Sequence, residues 1–152
     1  MKNLKIWSLA LALLMVVTGC EEKAATDNFK AGATNIVGEW QLTKWDGEVA
    51  PYDVYVNFDG VEVVIYQRVY TSLFEQFTAT YTLNGSKLTG MYNDGTEFGP
   101  YRAEVSVDGE TMRLHKTDGE REIMGVYTKT TIPEWVKTEA GATRAAEGVP
   151  FL

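Results

Sequence analysis

The segment Gln76–Gly95, QFTATYTLNGSKLTGMYNDG, decides the fold. Phe77, Ala79, Tyr81 and Leu83 alternate with Thr78, Thr80 and Thr82. Successive side chains of a strand point to opposite faces, so this period of two sets one face toward a core and one toward water. Asn84-Gly85 then predicts a type I′ hairpin turn with positive φ at both positions. Leu88, Gly90 and Tyr92 resume the inward phase, and Asn93-Asp94-Gly95 turns the chain again.

Working outward, the same punctuation recurs. Asp46-Gly47, Asp59-Gly60, Asn84-Gly85, Asp94-Gly95, Asp108-Gly109 and Asp118-Gly119 are spaced by 13, 25, 10, 14 and 10 residues. Each is a turn candidate because Asp and Asn tolerate the conformations that tight turns need. The double-length gap has room for one turn without glycine, near Tyr70-Thr71-Ser72. Seven turns separate eight strands. Trp40 and Leu42 face inward in the first, and Val54, Val56 and Phe58 in the second. Val61–Val69 is apolar on both faces and cannot be phased. The sixth points Tyr101, Ala103, Val105 and Val107 inward after a bulge or edge break at Gly99-Pro100. Met112 and Leu114 face in from the seventh, and Ile123, Gly125 and Tyr127 from the eighth.

No helical period occurs between residues 36 and 130. Eight short strands in a flat sheet would leave long edges, which closure removes. The expectation is an all-β, eight-stranded antiparallel up-and-down barrel over residues 36–130, with a two-sheet sandwich as the alternative. Pro133 followed by Glu134, Trp135, Val136 and Lys137 suits a helix start. Trp135 and Val136 are expected to cover the apolar outer patch of the third or eighth strand. Residues 131–152 thus read as a short helix and a poorly ordered Ala- and Gly-rich tail from Thr138.

The chain has 152 residues, 45% hydrophobic and 12% aromatic, which suits one domain with a core. Residues 1–20 hold Lys2 and Lys5 and no acid, so their removal takes the formal charge from −7 to −9. That charge offers no footprint for nucleic acid and is repelled by an anionic membrane. One cysteine and one histidine exclude internal disulfides, cysteine metal clusters and most histidine-based hydrolytic sites. No glycine-rich phosphate loop, G-x-S-x-G or D-x-D-x-D-G calcium loop is present. Neither a cofactor nor a catalytic residue is expected.

The start of the chain carries its address. Basic Lys2 and Lys5 precede Ile6–Val17, twelve residues long and almost wholly apolar. As a helix that run spans about 18 Å, short of the roughly 30 Å bilayer core, so residues 1–19 read as a signal peptide. Val17-Thr18-Gly19-Cys20 resembles the lipobox of bacterial lipoproteins. The resemblance implies that Cys20 is acylated and anchors the protein to a membrane. At about 0.8 kcal/mol per buried methylene, two or three acyl chains hold stably where one does not. Glu21-Glu22-Lys23 resembles the surface-export signal of Bacteroidota lipoproteins, and reads equally as a solvated charge cluster. Residues 20–35 then form the lipidated cysteine and a flexible tether. The expected location is the outer membrane, at its periplasmic face or the cell surface.

Gly38-Glu39-Trp40 resembles the G-x-W opening of lipocalins, where the tryptophan closes one end of an eight-stranded barrel. Thr96-Glu97-Phe98-Gly99-Pro100-Tyr101 resembles their T-D-Y-x-x-Y motif with the acid and first aromatic altered. Their arginine after the last strand is missing, and Lys129 is the nearest cation. A closer match is the lipocalin-like (calycin-like) lipoprotein domain of Bacteroidota. Ile36–Leu42, Tyr81–Leu83, Leu88–Gly95 and Ile132-Pro133 look like its recurrent blocks, in order. By fold analogy that family implies ligand binding and assigns no catalytic residue.

The candidate ligand site is the inward face. Small residues (Ala79, Gly90, Ala103, Gly125) recur there, each two positions from a tyrosine (Tyr81, Tyr92, Tyr101, Tyr127), with Trp40 and Phe77 alongside. Either they wall a cavity for a small hydrophobic ligand, or small and large residues alternate to fill a tapered barrel, which is the plainer reading. In the second case the protein is a non-enzymatic interaction or inhibitor module. His115, opposite in phase to Met112 and Leu114, reads as a surface residue.

Overall fold

A computed structural model describes residues 28–29, 35–142 and 148–152, and all eight expected strands form in it. They are β1 (Gly38–Trp45), β3 (Asp53–Phe58), β4 (Glu62–Arg68), β5 (Glu75–Asn84), β6 (Lys87–Tyr92), β7 (Glu97–Val105), β8 (Thr111–Asp118) and β9 (Arg121–Lys129). A two-residue β2 (Glu48–Val49) adds a small hairpin to the end of β1. Every neighbouring pair is antiparallel, and β1 pairs with β9 from Trp40↔Lys129 to Trp45↔Gly125. That last ladder closes the barrel and rules out the sandwich. Residues 1–19, Cys20 and most of the tether lie outside the described residues.

The turns differ from expectation in one place. Asn84 pairs with Lys87, so the central loop is Gly85-Ser86, and only Gly85 (φ 63) is positive. This is the glycine-first pattern of a type II′ turn, not the type I′ turn over Asn84-Gly85. Asp46-Gly47 does take the type I′ form, with φ of 52 and 87. The turn without glycine falls between β4 and β5, where Thr71 Oγ1 donates to Leu73 O at 2.6 Å.

Inward residues of all eight barrel strands meet in one core that includes Trp40, Val56, Ile65, Ala79, Leu88, Ala103, Met112 and Tyr127. Between Phe98 and Tyr101 the β6–β7 register shifts, as a bulge at Gly99-Pro100 requires. The shift brings Phe98 inward along with Tyr101. Val107, expected inside, is 63% exposed. It lies beyond the end of β7, and its N–H donates to Asn28 O at 2.8 Å. Phe29 bridges to Ser106, with the Arg113 guanidinium 3.6 Å over its ring. The tether is therefore docked at these two residues, contrary to a wholly flexible reading.

The double-faced apolarity of β4 has a direct cause. Val63 and Ile65 face the barrel core, while Tyr66 and Val64 face out under α1 (Glu134–Ala142). Ile132, Val136, Ala140 and Phe74 complete this second cluster. Trp135 is 55% exposed and meets the Phe74 ring edge-on. Val136 alone of the expected pair is buried, because the two neighbours point about 100° apart on a helix. Glu39 ties the helix entry down: Oε2 accepts Ile132 N–H at 2.7 Å and Oε1 pairs with Lys137 at 3.1 Å. Glu139 Oε2 accepts Phe74 N–H at 2.9 Å. These contacts carry the helix to Ala142, past the expected start of a disordered tail at Thr138.

Candidate functional site

Turns of a meander fall alternately at its two ends, and the two ends are closed by different means. At the end holding Gly85 and Gly109, Ile36 and Trp40 are both buried. Trp40 Nε1 donates to Ile36 O at 2.9 Å. Lys129, the nearest cation to the missing arginine, lies over the Trp40 ring at 5.5 Å.

The opposite end carries the β1–β3 and β4–β5 loops and is closed by residues 148–152. Phe151 sets its ring edge-on to Trp45 (4.9 Å between centroids) and Tyr52 (5.9 Å). Leu152 is buried in the barrel core, and Tyr92 Oη donates to its carbonyl at 2.8 Å. Gln67 is fully buried. Its Nε2 donates to Val149 O at 2.9 Å, and its Oε1 accepts Phe151 N–H at 2.7 Å. These five residues are thus packed where a poorly ordered tail was expected, because two apolar side chains and a buried amide find partners there. Beside them remains a pocket of about 410 Å³, walled by Trp45, Tyr52, Val69, Tyr101, Ile123 and Phe151, with Lys116 and Asp118 at its polar margin.

The ten candidate residues do converge on one core, but the space at the small ones is taken. A Cβ on Gly90 would lie 2.2 Å from Phe98 Cζ and 2.5 Å from Thr80 O. One on Gly125 would lie 3.1 Å from the Tyr127 ring and 3.4 Å from Leu42 and Trp45. Ala79 and Ala103 are fully buried, Phe77 and Tyr81 pack at the core's edge, and Tyr81 meets Phe58 at 5.0 Å. Of the ten, only Tyr101 also lines the pocket at the barrel end. Burial pushes the Tyr101 phenol up to about 12, and raises Tyr92 and Tyr127 as well, because a phenolate is poorly solvated inside the barrel. Proximity of the three phenols adds to the rise at Tyr92 and Tyr127.

Two polar residues were missed. Glu75 shares strand parity with Phe77 and Ala79, so its inward direction was readable, whereas Gln67 lies in the stretch Val61–Val69 that could not be phased. They are cross-strand partners at the pocket end, and Glu75 is 4% exposed. Trp45, Tyr52 and Phe151 carried no comparable signal, since they are brought together by loops and by residues 148–152 packing across the barrel end. His115 is not a plain surface residue. Its Nε2 lies 3.2 Å from Glu104 and its Nδ1 3.2 Å from Glu122, with Arg102 paired to both acids. No group of three or more His, Cys, Asp or Glu among the described residues is placed to hold a metal ion.

No curated protein matches the chain. Among solved structures it is similar to an uncharacterized protein from Bacteroides eggerthii, at 20% identity and a TM-score of 0.49, over 63% of this chain and 100% of that one. It is also similar to a lipocalin-like protein from Bacteroides uniformis, at 17% identity and a TM-score of 0.47, over 62% of this chain and 97% of that one. The model of the lipocalin-like domain family matches residues 36–114, more than half of the sequence. The chain belongs to the family of lipocalin-like domains.

Proposed function

We propose that this is a lipid-anchored, non-enzymatic protein of the outer membrane whose barrel binds a small, largely apolar ligand at the Trp45–Tyr52–Tyr101 end. The observation that carries the ligand reading is the pocket of about 410 Å³, whose aromatic wall and few polar groups match the usual character of a small-molecule site. A groove of about 480 Å³ over the outer face of β5–β7 is lined by Thr80, Thr82, Thr89 and Met91 together with Tyr81, Glu97, Phe98 and Pro100. It offers less apolar wall and no comparable aromatic box.

Anchoring rests on Cys20 at the end of the apolar run. Docking of Asn28 and Phe29 leaves seven residues between Cys20 and Asn28, so the anchor reaches at most about 28 Å from the docking point. The docking point lies by the β7–β8 turn, at the end opposite the pocket. A chain held at Cys20 therefore presents its pocket away from the lipid. A second reading, an interaction or inhibitor module with a packed barrel, draws on the filled space at Gly90 and Gly125.

Titration with an environment-sensitive apolar dye such as ANS tests the site. Saturable binding is expected, weakened about tenfold or more (about 1.4 kcal/mol) by Trp45→Ala with Tyr52→Ala. Dye binding that ignores both substitutions would move the packed-module reading ahead. For the anchor, Cys20→Ser should abolish incorporation of labelled palmitate, and unchanged labelling would overturn it.

A further inference from the structure

We propose that the pocket end of the barrel is a peptide-binding site, occupied here by residues 148–152 of the same chain, and that Glu75 awaits an amine that this occupant lacks. The inference rests on the ligand-binding reading above and names the class of ligand.

Three features of the site address peptide chemistry. The Gln67 amide is fully buried and bonds to Val149 O and Phe151 N–H, one acceptor and one donor two residues apart. An extended backbone presents its groups to one neighbour at that spacing. A hydrocarbon or fatty acyl chain offers neither group in that arrangement. It would leave both amide atoms buried without partners, which costs their full desolvation. Next, Phe151 fills the Trp45–Tyr52 box and Leu152 enters the core, where Tyr92 Oη binds its carbonyl. An aromatic residue followed by an aliphatic one thus has a place for each side chain and for the backbone between them.

The third feature is what the resident segment leaves undone. Glu75, across the ladder from Gln67, is 4% exposed, and its Oε2 accepts no hydrogen bond among the described residues. A buried carboxylate oxygen without a donor calls for an explanation in a native fold. The oxygen faces Gly148, where a Cβ would lie 2.8 Å from it. A ligand with an amine at the place of Gly148 would supply a charge-assisted hydrogen bond. A short peptide beginning there carries such an amine as its free N-terminus, whereas Gly148 within the chain is acylated by residue 147.

The probe is the pentapeptide Gly-Val-Pro-Phe-Leu, with a free or an acetylated N-terminus, titrated against Trp fluorescence and calorimetry. The full chain and its Phe151→Ala variant, which loosens the resident segment, are compared. The variant should bind the free-amine peptide at least tenfold more tightly than the intact chain does. Acetylation should weaken binding about tenfold, Glu75→Gln should erase that difference, and Gln67→Leu should weaken both forms. Should Phe151→Ala fail to fold, excess peptide added to the intact chain should speed hydrogen exchange at the Phe151 amide. If the loosened variant binds the apolar dye but no peptide, the peptide inference falls and the ligand-binding reading stands. If it binds neither, both fall. Equal affinity for free and acetylated peptide overturns the role of Glu75. Dimers that form through residues 148–152 of a second copy, with no binding of the free peptide, would overturn the proposal too.

Discussion

Gly90 shows how one missing side chain organises its surroundings. Phe98 lies over it, 5.4 Å from Tyr92 and 6.4 Å from Tyr101 by ring centroid, and the strand tolerates the glycine because a neighbour's ring takes the space. Two effects compete on substitution. Adding a Cβ relieves the entropic weakness of glycine in a strand, by about 0.5–1 kcal/mol. It also forces the Phe98 ring and the Thr80 carbonyl apart from contacts of 2.2 and 2.5 Å. Overpacking costs about 1–3 kcal/mol, and backbone on one side cannot swing away, so overpacking wins. Gly90→Ala should lower the urea unfolding midpoint, with a loss of unfolding free energy in that range. A raised midpoint would mean that the space beside β6 is open after all.

At the scale of elements, the hairpin of β5 and β6 depends on backbone conformation alone. A Cβ on Gly85 would meet nothing within 4 Å, so a substitution there costs no packing. Its φ of 63 is the whole constraint. Gly85→Val should therefore destabilise by about 1–2 kcal/mol, and Gly85→Asn by clearly less, since Asn tolerates the left-handed region. Equal melting temperatures for the two variants would refute that account. The helix α1 stands on different ground. It is held by its own small cluster outside the barrel and by Glu39 and Glu139.

For the whole molecule, closure has an electrostatic consequence. Tyr92, Tyr101 and Tyr127 are all buried in the barrel, and burial raises all three phenols, Tyr101 to about 12. In the unfolded chain they ionise near 10. Between those values the unfolded state loses protons that the folded state keeps, so stability falls as pH rises. It should be intact below about pH 10 and then decline by roughly 1.4 kcal/mol per pH unit for each buried phenol. The tyrosinate absorbance of these three, separated from that of the chain's other five tyrosines by Tyr→Phe substitution, should rise together with unfolding, in one transition. Phenols that ionise well before unfolding would show that the interior admits water.

The sequence by itself determined the strand count and the inward phase of every strand but Val61–Val69, because period-two patterning and Asx-Gly turns are local, while the lipocalin-like class rested on the resemblance of Gly38-Glu39-Trp40 and the blocks after it. Thr78 and Thr80 against Phe77 and Ala79 need no distant partner to be read. It also placed Gly90 and Gly125 on the inward face among tyrosines. Whether that leaves a cavity could not be read there, since the answer depends on where Phe98, Leu42 and Trp45 put their rings and methyls across strands. The turn type at Gly85 hung on a one-residue choice of register that pairing with Lys87 decides. Most of all, only the tertiary structure decided the pocket end. Gln67 and Phe151 lie 84 residues apart, and Trp45 and Phe151 meet across the closed barrel. Such partners attract through burial and hydrogen bonding that exist only once β1 has paired with β9, so no local pattern marks them in advance.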